Sequence, residues 1–130
     1  NNIVNADYRV IHGDASRLYQ LIPEKWRSRI SGVVLDPPYG RNSHGSQNHY
    51  DLIELTIMSC RTVVSETARL VLIVPFKPTA SDEITLLHGN WADFSSMLNQ
   101  AGVEIVNQWQ EHVHGSLSRL ILLTSILPLT

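Results

Sequence analysis

Two apolar runs, "GVVL" at 32–35 and "RLVLIVP" at 69–75, do most to limit how this chain can fold. Both are rich in β-branched residues and apolar at successive positions, so each suits a strand buried on both faces. Between them Ile53, Ile57, Cys60 and Val64 fall at i, i+4, i+7 and i+11, which predicts a helix over about 50–66 with that stripe against a sheet. Strand, helix and strand in this order imply a right-handed crossover between parallel strands.

The alternation extends in both directions. "DYRVIHGDA" predicts a strand at 8–12 ending near Gly13, after which Asp14 or Ser16 can cap a short helix carrying Leu18, Leu21 and Ile22. Beyond the run closed by Pro75, "FKPTASDEITLLHGN" reads as a long irregular connection. Trp91, Phe94, Leu98 and Ala101 form another helical stripe, of core character, stopped by Gly102 in a C-terminal cap position. "VEIVNQWQEHVHG" and "SLSRLILLTSIL" read as two strands joined at Gly115-Ser116 in an antiparallel hairpin. The expected fold class is α/β, a mostly parallel sheet with a C-terminal antiparallel hairpin, forming a single domain over 1–130. A chain of 130 residues that is 43% hydrophobic suits one core.

Composition narrows the function. The formal net charge of −2 lacks the basic excess of a self-sufficient nucleic-acid binder, so any nucleic acid would be held partly by something else. A single Cys60 excludes an internal disulfide framework and reads as an inert core thiol. With no charged-then-apolar leader at its start, the chain is expected in the cytoplasm. The run "LSRLILLTSILPLT" is short and broken by Arg119 and Pro128, so no membrane span is expected. Arg119 is expected to reach a sheet edge or to pair with Glu104 or Glu111, with contact to RNA as the alternative. His44, His49, His112 and His114 form no tight ligand cluster, and no metal is expected. Gly40 and Gly45 have the spacing of a phosphate-binding loop, but Ser46-Gln47 follows where Lys and Ser or Thr are needed.

The chemistry concentrates in "VVLDPPYGRNS". Asp36 stands at the carboxyl end of a buried strand, where open α/β sheets bind their ligands. Pro37 and Pro38 stiffen the backbone beyond it, which can hold the Asp36 carboxylate and the Pro37 carbonyl as two acceptors at a set separation. Two converging acceptors suit the exocyclic amine of a nucleobase. Accepting both N–H groups favours a pyramidal nitrogen and frees its ring-conjugated lone pair for an electrophile. Tyr39 offers a surface on which an extruded base can stack, worth about 1–3 kcal/mol per base. The polar loop from Arg41 through Asn42, Ser43, His44 and Gln47 follows where a substrate backbone would lie.

"DPPYG" resembles motif IV of the amino-group methyltransferases, which use S-adenosylmethionine to modify an exocyclic nitrogen in DNA or RNA. With "GDASRL" upstream and "HGSLSRLILL" downstream, the chain from about Tyr8 is similar to the archaeal and eukaryotic tRNA guanosine N2-methyltransferases acting at position 10, which carry a THUMP RNA-binding domain. The resemblance implies a Rossmann-like methyltransferase fold, S-adenosylmethionine as cofactor and tRNA or another nucleic acid as partner. It implies catalytic roles for Asp36, Pro37, Pro38 and Tyr39, cofactor contacts from Asp14, Ala15 and Asp36, and substrate contacts from Tyr39, Gly40 and Arg41. Such enzymes also carry a Gly-rich cofactor loop before the "GDA" segment, whereas the seven glycines here never form G-x-G. The chain is therefore expected to be the C-terminal part of a methyltransferase domain lacking its N-terminal strands, with an open edge that would favour homo-oligomers. The alternatives are a DNA adenine N6-methyltransferase and a catalytically silent scaffold.

Overall fold

In the computed structural model, which describes residues 7–37, 49–77, 84–87, 89–114 and 117–129, both apolar runs are strands. The first is β1 (Ile30–Leu35) and the second lies within β2 (Val64–Lys77), and their pairing is parallel, with Val33 opposite Leu70 and Leu35 opposite Leu72. Helix α2 (His49–Arg61) links them as the apolar stripe requires, and Ile53, Ile57 and Cys60 are all buried. The helix stops sooner than the stripe predicts. Thr62, Val63 and Val64 are β-branched, and Val64 already pairs with Ile30, so the last member of the stripe is a core residue of a strand instead.

Strand β2 also runs past Pro75, where the sequence pattern ends it. A missing N–H is tolerated there because β1 finishes opposite Leu72, and the Pro75 carbonyl accepts from the Leu87 amide at 3.2 Å beside the short β3 (Thr85–Leu86). Helix α3 (Trp91–Gln100) follows. Asn90 caps it, accepting the Asp93 amide at 2.8 Å while its own amide group donates to the Asp93 carboxylate at 2.9 Å.

The two strands of the expected hairpin are β4 (Val103–His114) and β5 (Leu117–Ile126), which pair antiparallel over most of their length, while Gly115 and Ser116 lie outside the described residues. The main sheet order is β1-β2-β5-β4. Strands β1, β2 and β4 share one direction, and β5 runs against them from its place between β2 and β4. Arg119 is in register with Glu111 on β4 and Pro75 on β2.

Alternation along β2 and β5 sorts their side chains. Leu70, Leu72, Val74, Leu120 and Leu122 are buried in one core with Ile53, Ile57 and Phe94 from α2 and α3. Thr124 joins them because its hydroxyl donates to the Leu70 carbonyl at 2.8 Å, which satisfies the polar group. The opposite face is more open, with Val34 69% and Trp109 48% exposed. No helix among the described residues is long and apolar enough to cross a membrane.

The strand expected at 8–12 does not form. Residues 7–12 are irregular, and Tyr8 and Val10 are largely exposed, because β-favouring side chains make a strand only beside a ladder to pair with. Among the described residues β1 pairs only with β2 and leaves its outer edge open. The short helix after Asp14 does form, as a 3-10 turn (Ala15–Arg17) running into α1 (Leu18–Leu21).

Two consequences can be measured. Gly102 adopts φ 85, and a Cβ there would stand 2.7 Å from the Arg61 guanidinium carbon. Arg61 is held in place, since its Nε donates to the Leu127 carbonyl at 2.7 Å and Nη1 to the Ala101 carbonyl at 3.1 Å. Gly102→Ala is expected to lower the unfolding free energy in urea by about 1–2 kcal/mol. Burial also pushes the Cys60 thiol up from 9.0 to about 11. The folded state thus resists thiolate formation, so its stability is full below pH 9 and falls as pH rises through 9 to 11. The Tyr50 phenol, raised to about 12 by burial and then by the negative Asp93, adds a loss at higher pH still. Urea midpoints at pH 8 and 10.5 should therefore fall less far apart in Cys60→Ala than in the parent.

Candidate functional site

The carboxyl end of β1 carries Asp36 and Pro37 into a cleft of about 220 Å³. Val34 and Leu35 of β1 line it from the strand, Leu52 and Thr56 from α2, and Ala15 from the 3-10 turn. The crossover explains the first two walls, because a helix that packs back on its own strand lies beside that strand's tip. A hydrogen bond explains the third. The Leu18 amide donates to Ser59 Oγ at 2.8 Å, so the segment following Asp14 is tied along α2.

Two of the sites expected from sequence thus meet in one place, Ala15 from the "GDA" segment and Asp36-Pro37 from the "DPPY" segment. Asp14 is exposed beside them and caps the turn. Its Oδ1 accepts the Ser16 amide at 2.9 Å and the Ser16 hydroxyl at 2.8 Å, and these bonds hold its carboxyl below the usual carboxylate range. Both bonds fall on Oδ1, which leaves acceptor capacity on its other oxygen. Pro38, Tyr39, Gly40 and Arg41 lie outside the described residues, as do Asn42, Ser43, His44 and Gln47.

Leu52 and Thr56 were not anticipated as site residues. They occupy i and i+4 positions one step before the core pair Ile53 and Ile57, on the flank of the same stripe, which is the signal that would have found them. The Thr56 hydroxyl donates to the Leu52 carbonyl at 2.8 Å, so it meets the cleft as a methyl group and an oxygen with acceptor capacity only.

Chemically the cleft is an apolar slot with one carboxylate at its mouth. Its volume lies below the roughly 300–1,000 Å³ of pockets that enclose a whole drug-sized ligand. Among the described residues no three His, Cys, Asp or Glu gather as a metal would require.

No protein-family model matches the chain, and no curated protein does. Solved structures do match. TTHA0409 of Thermus thermophilus, a proposed DNA modification methylase, superimposes with a TM-score of 0.61 at 18% identity, over 91% of this chain and 53% of its own. Its complex with S-adenosyl-L-methionine gives 0.59 at 19% identity, over 91% and 52%. A Burkholderia thailandensis 1,6-didemethyltoxoflavin-N1-methyltransferase, with 1,6-didemethyltoxoflavin and S-adenosylhomocysteine bound, gives 0.51 at 12% identity, over 78% and 45%. The chain spans about half the length of these structures. Over 91% of its residues it has the fold of the larger of these matches, a mixed α/β methyltransferase fold with the Asp36 strand tip facing a cleft.

Proposed function

We propose that the chain takes part in methyl transfer from S-adenosylmethionine to the exocyclic amine of a nucleobase in RNA, in its narrowest form N2 of a tRNA guanosine. The observation that carries this reading is the single cleft shared by Ala15 and the Asp36-Pro37 tip. An apolar slot with acceptors at its rim suits a planar ring that bears an amine, and both the adenosyl group and the target base are rings of that kind. Val34, Leu35 and Leu52 offer the ring apolar contact, and the exposed Asp14 carboxylate, next in sequence to Ala15, has an oxygen free to accept from an amine. The cofactor would supply an electrophilic methyl group from its sulfonium and leave as a neutral thioether.

The residues of the chain supply position and charge. The Asp36 carboxylate accepts one N–H of the amine and the Pro37 carbonyl the other, which holds the nitrogen lone pair out of conjugation and aims it. Positive charge develops on that nitrogen as the new N–C bond forms, and the adjacent carboxylate stabilises it and then accepts the proton. In this reading Tyr39 stacks on the base and Gly40 and Arg41 meet its backbone, as the resemblance to the tRNA enzymes implies.

The likeness to TTHA0409 favours a second reading, in which the amine is N6 of adenine in DNA. Labelled methyl transfer to an unmodified tRNA transcript and to duplex DNA, with the product nucleoside identified by mass spectrometry, separates the two. Label in N2-methylguanosine supports the first. Label confined to N6-methyladenine of the DNA supports the second, and no label in either, with no cofactor bound, supports a silent scaffold.

A further inference from the structure

The charge of this chain is unevenly placed. Five of its ten Lys and Arg residues, Arg9, Arg17, Lys25, Arg27 and Arg29, fall within 9–29, against only Asp14 and Glu24 in that stretch. A chain that is acidic as a whole therefore carries a basic segment.

The fold gathers that segment around aromatic rings. The Arg9 guanidinium lies 5.9 Å and the Lys25 ammonium 5.4 Å from the centre of the Trp26 ring, and the Arg27 guanidinium lies 4.2 Å from that of Tyr19. Ser28, at φ 63, turns the chain sharply, and the Arg29 amide donates to the Trp26 carbonyl at 3.1 Å, so the four residues from Trp26 form a closed turn. Arg9, Arg17, Lys25 and Arg29 are exposed, as is Tyr19 at 54%. Lys25 makes an ion pair with Asp7 at 3.6 Å, but both side chains are largely in water, where such a pair is weak and readily exchanged for a phosphate. The Arg27 Nε is buried and meets no acceptor among the described residues.

We infer that this cluster is a docking surface for the backbone of an RNA loop. The inference rests on the nucleic-acid reading proposed above and adds where the polymer is held. Cations beside an exposed ring, Tyr19, and a half-buried one, Trp26, suit a single strand, whose phosphates need point charges and whose unstacked bases need flat surfaces. A duplex offers its phosphates but keeps its bases stacked. Arg17, an exposed cation of the same segment, ends the short turn that presents Ala15 to the cleft. A strand held along Arg9, Lys25 and Arg29 could thus feed one extruded base toward Asp36.

The test is the salt dependence of binding to an unmodified tRNA transcript, measured by fluorescence anisotropy. Each phosphate contact contributes about 0.7 to the slope of log K against log salt for a single strand. The triple variant Arg9→Gln, Lys25→Gln and Arg29→Gln should therefore show a slope shallower by about 2, and at least tenfold weaker binding near 0.15 M salt. The variant Lys77→Gln, at the opposite end of β2 from the Val64 that pairs with Ile30, should keep the parent slope. Should the triple variant melt early, Arg29→Gln alone carries the test, with an expected change of about 0.7.

An unchanged slope in the triple variant overturns the proposal. An equal loss per charge in the Lys77 variant also overturns it, because net charge alone would then explain binding. Equal dependence with duplex DNA overturns the commitment to an RNA loop. Failure of methyl transfer is a separate outcome: a shallower slope without any label leaves the docking surface standing and removes the proposed reaction.

Discussion

Asp36→Ala is expected to slow methyl transfer to the nucleic acid by about a hundred- to a thousandfold, the loss that follows removal of one preorganised contact to developing charge. The residue is exposed and lies beyond Leu35, the last β1 position paired with β2, so the sheet does not depend on it. Thermal melting of the variant should match the parent. Because the carboxylate acts most on the charged transition state, kcat and kcat/KM should fall together, with little change in KM. Asp36→Asn keeps an acceptor but not the charge or the basic site, and should fall between the two proteins. Equal labelling by parent and Asp36→Ala would sink the amine-clamp mechanism, whatever the nucleic acid.

The second large effect lies in the core. Phe94→Ala is expected to lower the unfolding free energy by about 3–5 kcal/mol, out of the roughly 5–15 kcal/mol that a domain of this size possesses. Phe94 is fully buried, and its ring lies 5.0 Å from that of Tyr50 on α2 and 6.0 Å from that of Trp91 on its own helix. Truncation leaves a void where both helices meet the sheet, and the surrounding strands are too well paired to collapse into it. Urea unfolding with an unchanged m-value measures the loss. A fall below 1 kcal/mol would mean that α3 contributes little to the core. Phe94→Leu should recover about half.

The strand tip bearing Asp36 was legible because its signal is local: an apolar run, an acid and two prolines in immediate succession. The α2 stripe and the β4–β5 hairpin were legible for the same reason, as periodicity and a turn are written in neighbouring residues. What the sequence could not convey depends on partners far along the chain. Tyr8 to His12 have the propensity of a strand but no ladder beside them. Val64 fits a helical stripe but is claimed by pairing with Ile30. Pro75 reads as a stop until the end of β1 opposite Leu72 removes the neighbour it would have disturbed. Leu52 and Thr56 look like the margin of a core stripe, and only the placement of Ala15 across from them turns that margin into a wall.

The insertion of β5 between β2 and β4 has a bearing on synthesis. Residues 117–126 occupy the middle of the sheet although every strand they touch is made earlier. Until they leave the ribosome, β2 has β1 on one side and nothing along most of the other, and Leu70 and Leu72 have only half their cover. The nascent chain through β4 is thus an aggregation-prone intermediate of the kind chaperones bind. A premature stop just before Leu117 would remove the centre of the fold, so such a product should be degraded rather than accumulate as a slightly shortened protein.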